Sequence, residues 1–223
     1  MKVFQLFSTC GFGSTGRIAV DILKELEKNG GEGIIAYGRN SAPENVNSYR
    51  IGSDLQVKIH GVLSRITDRQ GFYGTSATKK LIEKIKDYNP DIIHLHNIHG
   101  YYLNVAILFD FLKEYNKPIV WTLHDCWAFT GHCAFFSFSG CEKWKTECNT
   151  CPLKKDYPTS LVMDNSKKNY KQKKELFTKP ENITFVTPSY WLKDLTEKSF
   201  LGKYPVKVIN NGIDLTKFKP TES

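Results

Sequence analysis

No stretch of this sequence approaches the roughly 18 consecutive apolar residues of a membrane-crossing helix, so no transmembrane segment is expected. Internal repeats and low-complexity tracts are missing too. A composition of 40% apolar and 24% charged residues excludes a disordered, collagen-like or coiled-coil chain. Negative charge is the scarcer sign: 23 Asp and Glu stand against 31 Lys and Arg, a net +8. That balance favours anionic partners such as nucleotides, lipid headgroups or nucleic acid, without choosing among them. An export signal is also lacking, because Gln5 interrupts an apolar run already shorter than the required core of about 7–15 residues. A cytosolic protein with its mature start at or near Met1 is expected. The 223 residues suit one large domain or two small ones.

What is present alternates. Short apolar runs at 3–7, 33–37, 91–95, 118–123, 183–186 and 206–209 read as strands, with a further short strand near 49–51. Between them, helical spacing predicts helices over 15–28, 55–66, 76–88, 102–115, 166–177 and 190–198. Such alternation implies an α/β fold, a doubly wound parallel sheet covered on both faces. Residues 124–163 lack periodicity and are longer than an ordinary connection, which marks them as an insertion that is either functional or disordered.

Four features carry chemistry. Gly11-Phe-Gly13-Ser14-Thr-Gly16 matches G-x-G-x-x-G after a strand and before a helix. Glycines admit close approach of a phosphate, and a helix N-terminus attracts it. A dinucleotide site would also want an acidic residue ending the second strand. Arg39 stands there instead, which suits a 2′-phosphate, so an NADP-binding oxidoreductase is the rival reading. Packing alone is the bland explanation of the glycines. Next, Asp91-Ile-Ile-His94-Leu-His96-Asn97-Ile-His99 and Trp121-Thr-Leu-His124-Asp125 aim histidines past two strand ends, at the edge where open α/β sheets hold ligands. His94, alternating with apolar neighbours, reads as a satisfied core histidine. His96, Asn97 and His99 read as polar ligand contacts or loop hydrogen bonds, since metal binding by His96 and His99 lacks a nearby carboxylate, and His124 as a hydroxyl partner, a proton shuttle or the cap of its own loop. The fourth feature is Cys133-x7-Cys141-x6-Cys148-x2-Cys151. Its closing Cys-x2-Cys suggests a structural zinc that would hold together a loop without a core of its own. Reduced thiols and a disulfide are the alternatives, Cys126 and His132 are spare ligands, and a zinc-stabilised interaction domain without catalysis is a third functional reading. The basic run 167–174 could meet a membrane or nucleic acid, but a solvated helix face is commoner. With no nucleic-acid motif beside it, no nucleic-acid partner is expected.

In order, these pieces, together with Val186-Thr-Pro-Ser189-Tyr-Trp-Leu and Val208-Ile-Asn-Asn211-Gly-Ile-Asp, resemble the amino-terminal half of a GT4-type, GT-B-fold glycosyltransferase. The cysteine insertion is similar to that of a bacterial capsule or exopolysaccharide subgroup. The resemblance implies that 1–223 is an acceptor-side domain, with 124–163 as its Cys-rich insertion. It also implies that the donor domain, with its Glu-x7-Glu motif, is absent from this chain, which alone would be a poor catalyst. By the same resemblance the reaction is a retaining transfer from a nucleotide-diphosphate sugar to a saccharide or lipid-linked acceptor. No catalytic metal would be needed, and the site would be the cytoplasm or the inner membrane face, with peripheral membrane contact. His124 would hydrogen-bond the donor sugar. Gly11, Gly13, Ser14 and Gly16 would meet phosphates or acceptor. Arg17, His96, Asn97 and His99 would line the acceptor side, with Asp125 and Asn211 in the matching motifs. Ser189 would start the helix toward the second domain.

Overall fold

The computed structural model describes residues 1–215, 218 and 219. Seven strands form one sheet: β1 (Lys2–Thr9), β2 (Glu32–Arg39), β3 (Ser48–Arg50), β4 (Ile92–Leu95), β5 (Ile119–Thr122), β6 (Ile183–Thr187) and β7 (Val206–Val208). Their order is β3-β2-β1-β4-β5-β6-β7. Every pairing is parallel, with Phe4 opposite Ile34 on one side and Ile93 on the other. Among the described residues six helices cover the faces: α1 (Gly13–Lys28), α2 (Asp54–Thr67), α3 (Thr75–Tyr88), α4 (Val105–Tyr115), α5 (Ser166–Phe177) and α6 (Tyr190–Lys198). The doubly wound parallel sheet is as the alternation predicts.

The strands are apolar runs because both faces are covered: Phe4, Leu6, Ile35, Ile93, Leu95 and Phe185 are all fully buried. Chain order reverses between β1 and β4, and such a switch point opens a crevice at the carboxyl ends of the strands. One glycine is fixed by packing there. A Cβ on Gly38 would lie 2.1 Å from Cγ of Tyr102.

Most element boundaries shift by a residue or two, and a few shifts are informative. β1 runs on to Thr9, so the glycine loop is short and α1 already begins at Gly13. The fourth helix starts at Val105 rather than 102, because the Asn104 side chain caps it, accepting from the N–H groups of Ala106 and Ile107. The last strand stops one residue early, at Val208.

The insertion does have a core. Its three single 3-10 turns (Trp127–Phe129, Ser137–Ser139, Lys143–Lys145) bring together Phe129, Phe136 and Trp144, with ring centroids 5.2–6.5 Å apart. The basic run is only partly a solvated face. Lys167 and Lys171 pair with Glu147, but Lys173 is buried, donating to the carbonyls of Trp127 (2.7 Å) and Thr130 (3.0 Å) with its ammonium over the Trp127 ring.

Candidate active site

The carboxyl ends of β1, β4 and β5 supply the site. β4 delivers His96 and β5 delivers His124, and their rings stack at 5.5 Å and 14°. His94 lies on the other side of His96, at 4.0 Å, and bonds Thr122 at 2.8 Å. His94 therefore belongs to this stack as well as to the strand. Phe7 of β1 packs against both His96 and His124, which sets the end of β1 and its glycine loop beside them.

Burial pushes the histidines down: His94 and His124 to about 4, and His96 well below its ordinary value. At neutral pH all three are neutral imidazoles, each with one donor and one acceptor nitrogen. The hydrogen bonds then fix which is which. Gln5, on β1, donates its amide to the Ala19 carbonyl (3.1 Å), so its oxygen is turned to His96 Nε2 (3.2 Å). His96 donates there, and its Nδ1 must accept. The partner of that Nδ1 is His124 Nε2, at 3.2 Å, which donates. His124 thus presents Nδ1 as a lone pair, and this atom has no partner among the described residues.

A second set adjoins the first. His99 joins Asp125 (2.8 Å) and the Tyr157 hydroxyl (3.2 Å), and Asp125 also accepts from the Trp127 N–H (2.9 Å). Burial drives the Asp125 carboxyl up, but His99 and the Trp127 N–H outweigh it and hold the group below its ordinary value. Asp125 is accordingly a carboxylate. His96, Asn97, His99, His124 and Asp125 line one small cavity.

The remaining expected residues lie around this centre. Gly11 and Gly13 take positive φ of 70°, and a Cβ on Gly16 would sit 2.7 Å from Thr9 Oγ1, so the loop is held tight by packing. The start of α1 carries no side-chain cap, which leaves its first N–H groups to solvent or ligand. Ser14 and Arg17 are exposed on that first turn. Ser189 caps α6, accepting from the Leu192 N–H, and Asn211 is exposed beyond β7; neither lines the histidine cavity. Arg39 ends β2 with its Nε buried and unpartnered, and its guanidinium lies near Gly100. Sequence reasoning missed Gln5 and Tyr157 as site residues.

Cys133, Cys141, Cys148 and Cys151 line a separate cavity with His132. The Gly131 N–H points at Cys148 Sγ (3.2 Å), and the neighbouring Cys151, together with burial, pushes the Cys133 thiol up. Asp68 holds His132 Nδ1, leaving Nε2 buried without a partner. Among the described residues, no group of three or more His, Cys, Asp or Glu is disposed to hold a metal ion.

A parallel α/β sheet with histidines and a glycine turn gathered at its switch point has the architecture in which open α/β sheets place a ligand crevice. The family model for Glycosyltransferase Family 4 matches residues 15–217, and the chain belongs to that family. A putative colanic acid biosynthesis glycosyl transferase, WcaC, of Escherichia coli (strain K12) is 37% identical over 133 residues, which cover 56% of this chain and 32% of that protein. The chain therefore spans about a third of that relative. A solved spinosyn rhamnosyltransferase, SpnG, complexed with thymidine diphosphate, overlays with a TM-score of 0.37 at 11% identity, covering 84% of this chain and 45% of that one.

Proposed function

We propose that this chain is the acceptor-side domain of a retaining glycosyltransferase of bacterial exopolysaccharide synthesis, moving a sugar from a nucleotide diphosphate to an acceptor hydroxyl. The observation that carries the reading is His124, a neutral imidazole whose free Nδ1 stands at the switch point. Membership of the family and the relative's name as a putative colanic acid biosynthesis glycosyl transferase support it.

The reaction gathers negative charge on the leaving diphosphate and positive charge on the sugar. Interactions that strengthen as this charge develops lower the barrier. The uncapped start of α1 suits a phosphate. Nδ1 of His124 accepts from a sugar hydroxyl and orients the ring without adding a cation beside an oxocarbenium-like centre. Arg39 and the Tyr157–His99–Asp125 set face the acceptor, where a guanidinium suits a phosphate of a lipid-linked saccharide. The nucleotide-sugar is held mainly by a second domain, and the work is done at the cytoplasmic membrane face. The four thiols round one cavity, with the unpartnered Nε2 of His132 among them, support a structural rather than a catalytic zinc.

The test is His124→Ala in the complete enzyme, assayed for sugar transfer. Loss of one such oriented hydrogen bond lowers kcat/KM about 100-fold, or about 3 kcal/mol. Activity near wild type overturns the role given to His124.

A further inference from the structure

Helix α2 turns its apolar side to solvent. Its buried residues are His60, Gly61 and Ser64. Leu55, Ile59, Val62, Leu63 and Ile66 are exposed, Leu55 by 66% and Val62 by 56%. With successive side chains about 100° apart, these five share an arc of about 100° opposite the buried three. An ordinary surface helix has the reverse arrangement. The patch continues off the helix. Leu161 and Met163 donate backbone N–H groups to the carbonyls of Arg65 (2.7 Å) and Ile66 (3.0 Å), and Leu161, Val162 and Met163 are at least half exposed. A contiguous apolar face of this kind on a soluble domain marks an interaction surface.

The fringe of the face is basic. Lys58 and Arg65 border the stripe along one edge of α2, and Lys79 lines a groove with Ile59 and Leu63 near its other edge. Lys154 reaches the Val162 carbonyl at 3.1 Å. Of the acidic residues on these segments, Asp54 is engaged by Arg50, which leaves Asp156. We propose that α2 and the 161–163 segment form a docking face for an anionic lipid bilayer, the apolar stripe entering the headgroup boundary and the lysines meeting phosphates. Apolar side chains with a cationic fringe are what an interfacial helix needs. A second copy of the chain fits less well, since a two-fold contact would set this basic fringe against itself. The inference deepens the membrane-face reading above and rests on it, while its test is separable from the transfer reading, because lipid binding needs no catalysis.

The experiment is co-sedimentation of this chain with vesicles containing phosphatidylglycerol and, separately, with pure phosphatidylcholine vesicles at low salt. Strong binding to the anionic vesicles and weak binding to the neutral ones is expected. The double variant Ile59→Asp/Val62→Asp should bind about tenfold more weakly or worse while its circular dichroism is unchanged. Lys58→Glu, which leaves every apolar side chain in place, should weaken only the anionic binding. The proposal is overturned if wild type stays in the supernatant, or if the double variant pellets like wild type. It is equally overturned if sedimentation velocity shows a dimer that the double variant dissolves without any vesicle binding, which would assign the face to a second copy.

Discussion

Gln5 decides more than its place in the chain suggests. It lies fully buried in β1, between Phe4 and Leu6, where a parallel strand wants an apolar side chain. A buried amide must satisfy both its ends, and it does so with the Ala19 carbonyl and His96 Nε2. The orientation of the amide therefore passes through His96 to His124 as a choice of tautomer, two rings away. This is open to direct measurement. In 15N-resolved imidazole spectra at neutral pH, His96 and His124 should both be protonated on Nε2 alone. A His124 protonated on Nδ1 would mean that it donates to the cleft, and the account of how it orients a sugar hydroxyl would fail. Gln5→Leu should release the tautomer of His96 into a mixture. The signal was present in the sequence, since Gln5 is the polar residue that breaks the first apolar run, but a break reads as a defect until its partners are known.

At the scale of elements, the insertion at 124–163 tests the zinc expectation. The thiols share a cavity without forming a coordination shell, and the segment has an aromatic core in Phe129, Phe136 and Trp144. A structural zinc would then lock the cavity side of the insertion rather than stand in for its core. Protein purified without chelator is expected to carry about one zinc per chain, and its removal should lower Tm and expose thiols to reagent. A content well below one zinc leaves a reduced thiol cluster on an aromatic core. The legibility of each element follows from its physics. Strands with both faces covered read as apolar runs, so β4, β5 and β6 were plain. The 3.6-residue period gave α2 but not its facing, because periodicity does not say which side meets the sheet. Lys173 lay hidden in a basic run, since composition does not show that carbonyls of a distant 3-10 turn await its ammonium. Tyr157 reaches His99 across 58 residues from a segment with no periodicity, and nothing local marks that contact. The histidines at the ends of β4 and β5 were legible because chemistry at strand ends is a property of the sheet itself.

At the scale of the whole molecule, burying histidines ties the fold to pH. His60, His94 and His124 are each pushed by burial to about 4, and His96 falls as well. The unfolded chain takes up protons at these positions near pH 6.5, whereas the folded chain resists until near pH 4. Between those values the unfolded state binds more protons, so the stability these histidines contribute is complete above about pH 6.5 and drains away as pH falls toward 4. His60 illustrates the cost. It sits 2% exposed on the inner side of α2, and its Nε2 accepts from the Gly71 N–H at 3.3 Å, so it must stay neutral. Its contribution alone is on the order of 3 kcal/mol when fully developed. The stacked three are coupled and add less than three times that. Two groups do not alter the direction. Asp125, held below its ordinary value, loses its contribution only in stronger acid, and His132, raised by its bond to Asp68, gives a stabilising contribution with the opposite pH dependence, present at low pH and lost as pH rises. The urea midpoint should therefore fall steadily from pH 7 to pH 5, with native structure lost above pH 4. A midpoint level across that interval would show that these imidazoles protonate in place. In that case His124 would become a cation inside the folded site, and its assignment as a neutral acceptor would go with the stability argument.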